Sequence, residues 1–326
     1  MSLIFIFFIF LIKICEKMLS ITDVSFSYDS KKTLKNISFS LEKGQHLSIL
    51  GESGSGKSTL LKAIYGLLDL NKGEILWNGT EVLGPKFNLV PGMSFMKYLA
   101  QDFDLMPYIT VYENIGKYLS NFYPEKKQER IKDLLRLVEM TDFSDVKVKN
   151  LSGGQMQRVA IARVLALEPE LLLFDEPFSH IDNSRKNNLR RSVFNYAKEN
   201  GITCVVATHD MDDALSFSDK MIILKDGEVI EENFPEFIYN NPKSYYIASL
   251  FGEVNEIKIN SNSYFIYPHQ LEVNSIFDFE VCVKNFYFRA SHFLIEAVYN
   301  GNLIFFEHAS LIKKDTILGL RIKKDL

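Results

Sequence analysis

Between Leu19 and about Tyr246, short apolar runs alternate with stretches of helical spacing, and beyond Gly252 the helical spacing stops. His46 to Leu50 is an apolar run close to glycines on both sides, which predicts a buried parallel strand. Leu171 to Phe174 and Thr203 to Ala207 read the same way. From Lys127 to Met140, Ile131, Leu134, Leu135 and Val138 recur at i, i+3, i+4 and i+7, one apolar stripe of an amphipathic helix. Asn78-Gly79 lies between Ile75–Trp77 and Glu81–Val82, and Asp226-Gly227 between Met221–Leu224 and Glu228–Ile230; both pairs predict hairpin turns. Strands alternating with helical segments predict an α/β domain over residues 18–246.

In residues 247–326 the pattern becomes short alternating runs: Asn255 to Ile259, Tyr264 to Tyr267, Phe279 to Val283, Phe293 to Val298, Leu303 to Phe306 and Leu318 to Ile322. Asn, Gly, Ser and Pro separate them, and the one helical candidate is around His269. This predicts a small all-β barrel or sandwich.

The first residues, MSLIFIFFIFLIKICEK, are apolar from Leu3 to Ile12 and then interrupted by Lys13. The run is shorter than the roughly 20 residues a bilayer span needs, and it lacks the basic start and small-residue cleavage site of a secretory signal. The leading expectation is that translation begins at Met18 and residues 1–17 are a misassigned upstream extension. A weak membrane anchor is the alternative.

Composition narrows the function classes. Of 326 residues, 47% are hydrophobic and 24% charged, which excludes a disordered chain. The 37 Lys and Arg against 41 Asp and Glu leave a net charge of −4, so a protein that grips a nucleic-acid backbone is disfavoured. Cys15, Cys204 and Cys282 lie far apart without metal-ligand spacing and read as reduced thiols.

The segment GESGSGKST, Gly51 to Thr59, fits G-x-x-x-x-G-K-[ST] between an apolar strand and a helical run. Glycines let the chain wrap until successive N–H groups converge on phosphate oxygens, and the following helix start adds positive potential. Lys57 is placed to reach the β- and γ-phosphates and the Ser58 hydroxyl to ligate Mg²⁺. The ATP-binding candidates in this loop are Gly51, Glu52, Ser53, Gly54, Ser55, Gly56, Lys57, Ser58 and Thr59. Further on, LLLFDEP ends a strand in two carboxylates. Asp175 suits the Mg²⁺ shell, and Glu176 suits the base that takes a proton from an attacking water.

LSGGQ, Leu151 to Gln155, precedes MQRVAIARVLAL, a helix start with Ser152 at the N-cap and glycines that permit close backbone approach. It is a second anion site on a different helix. Two phosphate-binding elements and an acidic strand end, in this order, resemble the ATP-binding cassette (ABC) ATPases over Leu19 to roughly Tyr246. The resemblance implies a P-loop NTPase fold with a helical subdomain, ATP and Mg²⁺ as ligands, and ATP hydrolysis. It also gives roles to further positions. Tyr28 stacks on adenine, and Gln101 touches Mg²⁺ or its water and relays nucleotide state. Asp182 belongs to the segment that crosses to a second subunit, and His209 is the switch histidine at the γ-phosphate. The catalytic set is then Glu176, His209 and Lys57, the metal set Ser58, Gln101 and Asp175, and the set offered to a second copy Ser152, Gly153, Gly154, Gln155 and Asp182. His180 departs from the Ala or Asn frequent at its position in the family.

The family resemblance also implies partners: a second copy of the chain in an ATP sandwich, integral-membrane permease subunits, and indirectly a solute-binding protein, with the chain peripheral at the cytoplasmic face of the cell membrane. Phe103, Leu105, Met106, Pro107 and Tyr108 read either as core or as a groove for a permease helix. IYPHQLEV and the run ending ILGLRIKK resemble the C-terminal OB-like domain of importer ATPases for iron(III), molybdate, polyamines and sugars, although Tyr267 stands where those often have Arg. Import is therefore the preferred reading. The alternatives are the ATPase of an exporter or lipoprotein/efflux-type system, or a non-transport ABC ATPase.

Overall fold

The computed structural model describes residues 17–29, 31–259 and 262–323. The N-terminal extension up to residue 16, with Cys15, lies outside the described residues. The chain divides into two compact units, the first ending at Pro235 and the second beginning at Glu236.

The first unit holds two sheets. A four-stranded antiparallel sheet has the order β2-β1-β4-β5, from β1 (Lys17–Tyr28), β2 (Lys31–Glu42), β4 (Lys72–Trp77) and β5 (Thr80–Glu81). A six-stranded sheet has the order β10-β9-β3-β8-β7-β6, from β3 (His46–Leu50), β6 (Met96–Leu99), β7 (Leu171–Asp175), β8 (Thr203–Thr208), β9 (Lys220–Lys225) and β10 (Glu228–Asn233). Its β6-β7-β8-β3-β9 pairings are parallel, and β3, β7 and β8 are buried along their whole length. Unbroken apolar runs follow from that position, because side chains alternate between two covered faces. Leu171 and Leu173 join one core with Leu47, Ile49 and the helix α1 (Lys57–Ile64). Leu172 and Phe174 join the other, which extends into the helical part of the unit.

That helical part contains α2 (Val111–Ile115), α3 (Pro124–Leu137) and α4 (Gly153–Leu165). The stripe of Ile131, Leu134 and Leu135 is buried on α3 as its spacing predicts. The helix begins three residues before the predicted Lys127, because Pro124 with its fixed φ opens the first turn. Two further helices, α5 (Asn183–Glu199) and α6 (Met211–Phe217), follow β7 and β8. Both predicted hairpins form, with positive φ at Asn78 and Gly79 and again at Asp226 and Gly227, as a two-residue type I′ turn requires.

The second unit carries α7 (Pro235–Asn240, whose first residue closes the first unit), α8 (Tyr245–Ser249), a hairpin of β11 (Asn255–Ile259) and β12 (Asn262–Ile266), and a five-stranded antiparallel sheet. The sheet order is β13-β17-β14-β15-β16, from β13 (Leu271–Val273), β14 (Phe279–Arg289), β15 (His292–Tyr299), β16 (Asn302–His308) and β17 (Ile317–Ile322). This β-rich arrangement fits an OB-like domain around Ile257, Leu271, Val283, Ile295 and Phe306. The helical candidate at His269 is a single 3₁₀ turn, Pro268–Gln270. The units divide earlier than the expected 246/247 boundary because α7 and α8 pack within the second one. Tyr239 stacks on Tyr267 with centroids 4.7 Å apart, and the Tyr267 hydroxyl donates to the Ala248 carbonyl at 3.2 Å. Tyr267 is thereby a buried core residue. Among the described residues no helix is long and apolar enough to cross a membrane.

Candidate functional site

The loop Gly51 to Thr59 leaves the C-terminal end of β3 and enters α1, the edge where open α/β sheets place ligands. A Cβ on Gly51 would stand 2.2 Å from the Leu224 carbonyl oxygen, so only glycine fits against the neighbouring strand β9. Gly54 and Gly56 have φ of 83° and 110°, which wraps the loop in a way L side chains resist. The buried Ser55 hydroxyl has no hydrogen-bond partner among the described residues. The buried Lys57 ammonium donates to the carbonyls of Gly51 at 2.7 Å and Glu52 at 2.9 Å. Burial pushes its pKa down, opposed by the carboxylates of Glu176 and Asp175. A wrapped backbone, a buried cation, an orphaned hydroxyl and a helix start together fit a polyphosphate.

Asp175 closes β7 and is buried. Its Oδ1 accepts from Ser58 at 3.0 Å and its Oδ2 from the Tyr98 hydroxyl at 3.2 Å. Burial pushes the Asp175 pKa up, and those two hydrogen bonds oppose the rise. The oxygen donors of Ser58 and Asp175, at the edge of a phosphate loop, suit a hard cation such as Mg²⁺ that also takes phosphate oxygens.

Glu176 adopts a left-handed backbone, φ 51°. Four hydrogen bonds hold it there. Its N–H donates to Ala207 at 2.9 Å, and its carbonyl accepts from Gln157 Nε2 at 3.0 Å, from Ser179 Oγ at 3.1 Å and from the Ser179 N–H at 3.3 Å. Its carboxylate Oε1 lies 3.0 Å from Nδ1 of His209, an exposed ring just beyond β8. Asp210, next along, caps α6 and pairs with Lys186 at 2.7 Å and with Arg190. Arg190 is buried and also pairs with Asp213 at 2.5 Å, so the segment after His209 is pinned to α5.

These elements surround a cavity of about 850 Å³ lined by Tyr28, Ser53, Gly54, Gly56, Lys57, Ser58, Thr59, Gln101 and Glu176. Gly51, Glu52 and Ser55 complete the loop without lining the cavity. Tyr28, half exposed, meets Phe26 edge-on at 4.7 Å. Ser152, Gly153, Gly154, Gln155 and Asp182 are not among the lining residues. Ser152 caps α4: its hydroxyl accepts from the Gln155 N–H at 3.3 Å while the Gln155 side chain accepts from the Ser152 N–H at 2.8 Å. Gly153 opens on empty space, whereas a Cβ on Gly154 would stand 2.7 Å from the His180 carbonyl oxygen. His180 itself packs edge-on against Phe103 at 5.4 Å.

Several participants escape a reading of the sequence. Lys32, Thr33, Lys35, Asp226 and Gly227 also line the cavity. Asp226-Gly227 is legible as a turn, but its place at the site depends on long-range contacts: Gly227 donates to the Ser55 carbonyl at 3.0 Å and accepts from the Lys35 N–H at 2.8 Å. Tyr98 precedes Gln101 on the strand leading to it, with no local signal that its hydroxyl reaches Asp175.

A family model described as "ABC transporter" matches residues 34–179. The spermidine/putrescine import ATP-binding protein of Thermotoga maritima is 37% identical over 241 residues, 73% of this chain; the match spans 64% of that relative's length. The Fe(3+) ions import ATP-binding protein of Haemophilus influenzae is 35% identical over 72% of this chain and 68% of its own. Among solved structures, a dimeric ATP-binding cassette in a post-hydrolysis state with ADP and Pi aligns with a TM-score of 0.60 at 32% identity, over 67% of this chain and 99% of that one. CbiO1 from Clostridium perfringens, part of an ABC transporter complex, aligns with a TM-score of 0.61 at 28% identity, over 69% of this chain and 92% of that one.

Proposed function

The chain belongs to the ABC transporter family of ATPases, and from that premise we propose that it binds and hydrolyses ATP to power solute import through separate permease subunits. One observation carries the reading: residues of the Gly51–Thr59 loop and Glu176 line one cavity, with Asp175 tied to that loop through Ser58, while the helix start at Ser152 is not among the lining residues. A phosphate loop and a second anion site that do not meet within one chain call for a second copy.

Two chains then pair head to tail in an isologous dimer with two equivalent sites. Each ATP lies between Lys57 of one protomer and the Ser152-Gly153-Gly154 helix start of its partner. Lys57 leaves the carbonyls of Gly51 and Glu52 for the β- and γ-phosphates, and the loop N–H groups hold the phosphate oxygens. Tyr28 stacks on the base. Ser58, Asp175 and Gln101 would hold Mg²⁺, which when bound neutralises charge on the phosphates. Glu176 accepts the proton of the attacking water, and His209, fixed by Glu176, contacts the γ-phosphate. ATP closes the dimer by supplying negative charge that both halves bind, and loss of phosphate releases it. Permease subunits sense that cycle through Gln101 and the segment after it, with the ATPase peripheral at the cytoplasmic face of the membrane.

Import is favoured by the names of the relatives, both import ATP-binding proteins, and by the OB-like second unit. The test is a pull-down with tagged Glu176→Gln protein trapped with ATP from gently solubilised membranes. Import predicts a multi-span permease together with an extracytoplasmic solute-binding protein. A permease with a large extracytoplasmic domain and no binding protein would indicate export, and ribosomes or DNA in place of membrane proteins would overturn transport.

A further inference from the structure

The side chain of Gln157 is 2% exposed and bridges two backbone groups of the catalytic segment. Its Nε2 donates to the Glu176 carbonyl and its Oε1 accepts from the His180 N–H, each at 3.0 Å. One amide end faces a carbonyl and the other an N–H, so its orientation is fixed: rotation would break both bonds. Gln157 lies on α4, three residues after Gly154, where a Cβ would stand 2.7 Å from the His180 carbonyl oxygen. Positions three apart share a helix face, so the face of α4 that starts at the Ser152 cap is locked onto residues 176–180.

Glu176 needs such a lock. A glutamate at φ 51° is strained and persists only where its surroundings over-determine it. Relaxation toward ordinary φ would turn its side chain away from His209.

We propose that Gln157 is a positioning residue for ATP hydrolysis: it holds Glu176 in its strained conformation and ties that conformation to the helix whose start binds the partner's nucleotide. The inference rests on the reading of Glu176 as general base. ATP engaged by Ser152 of one protomer then steadies the base in that protomer's own site, which links the two sites of the dimer. Gln157 is not among the residues that line the cavity.

The test is a double-mutant cycle on the full-length chain, with single-turnover hydrolysis, ATP affinity and melting temperature read for each variant. Gln157→Met keeps the volume and removes both hydrogen bonds. Misplacing a reacting group by about 1 Å costs up to about 100-fold in rate, so kcat is expected to fall by at least about tenfold with ATP affinity within about twofold. In the Glu176→Gln background the same substitution is expected to change residual turnover by less than about twofold, because residues acting as a unit are not additive. An unchanged kcat in Gln157→Met, or an equal fall in both backgrounds, would overturn the proposal. Wild-type turnover in Glu176→Gln alone would overturn the general-base reading beneath it. Should Gln157→Met not fold, Gln157→Glu, which keeps an acceptor for the His180 N–H and removes the donor to the Glu176 carbonyl, carries the same cycle and the same expectation.

Discussion

Nδ1 of His209 lies 3.0 Å from Oε1 of Glu176, and the contact is produced by strand register rather than by sequence proximity. Glu176 follows β7 and His209 follows β8, two neighbouring parallel strands in which Asp175 stands opposite Ala207. The Glu176 N–H extends the ladder by donating to Ala207. Side chains from the two strand ends are thereby brought to the same edge as the phosphate loop.

His209→Ala removes that contact and leaves the phosphate loop intact. Loss of one group that stabilises a phosphoryl-transfer transition state costs about 3–4 kcal/mol, or ~10²–10³ in rate. ATP binding is expected to persist while steady-state turnover falls by that factor. Turnover above about a tenth of wild type would contradict the assigned role.

Adjacent glycines at the start of α4 separate folding from function. In Gly154→Ala the new methyl would meet the His180 carbonyl oxygen at 2.7 Å, a backbone atom that must move. Overpacking of this kind costs about 1–3 kcal/mol, so the melting temperature is expected to fall. In Gly153→Ala the methyl enters open space, and alanine favours a helix over glycine by up to about 1 kcal/mol. Its melting temperature is expected to hold or rise, yet turnover is expected to fall because the methyl occupies the face offered to the partner's ATP. Thermal melts alongside ATPase assays check both expectations.

Motifs whose chemistry is local in sequence could be read from the chain. The Gly51–Thr59 loop needs only its own glycines, its lysine and the flanking strand and helix, and the Ser152–Gln155 capping box closes within one helical turn. The apolar stripe of α3 and both Asx-Gly hairpins are likewise set by neighbours a few residues apart. What escaped depends on pairing across the fold. Tyr98 meets Asp175 because β6 lies beside β7, and Arg190 meets Asp210 and Asp213 because α5 lies against the start of α6. Gln157 reads as an ordinary polar residue beside Gln155 and Arg158 until its two backbone partners are known. The helices α7 and α8 join the β-rich unit through Tyr267, which stacks on Tyr239 and donates to the Ala248 carbonyl, contacts for which periodicity carries no signal.

His46 gives the first unit a sensitivity to acid. It is buried on β3, its Nδ1 is 3.3 Å from the Phe217 carbonyl oxygen, and burial lowers its pKa from 6.5 to about 4. Between those values the unfolded chain takes up a proton that the folded chain refuses, so stability falls as pH drops through this window. By pH 5 the loss is about 2 kcal/mol. Asp213 acts with the opposite sign: burial raises its pKa to about 6, opposed by Arg190, so its contribution grows as pH falls below 6. The His46 contribution is therefore the difference between wild type and His46→Leu. Urea midpoints at pH 7 and pH 5 are expected to fall more steeply for the wild type, and parallel changes in the two proteins would contradict the assignment.

A composite ATP site in which Glu176 is the base makes Glu176→Gln the decisive variant. Light scattering after gel filtration with ATP and Mg²⁺, run beside a steady-state ATPase assay, reads assembly and chemistry on the same sample. Glu176→Gln is expected to retain ATP binding, to turn over at less than about a tenth of the wild-type rate, and to form a stable dimer that returns to monomer when ATP is exchanged for ADP. Turnover near wild type, or a monomer that binds ATP without dimerising, would contradict the composite site.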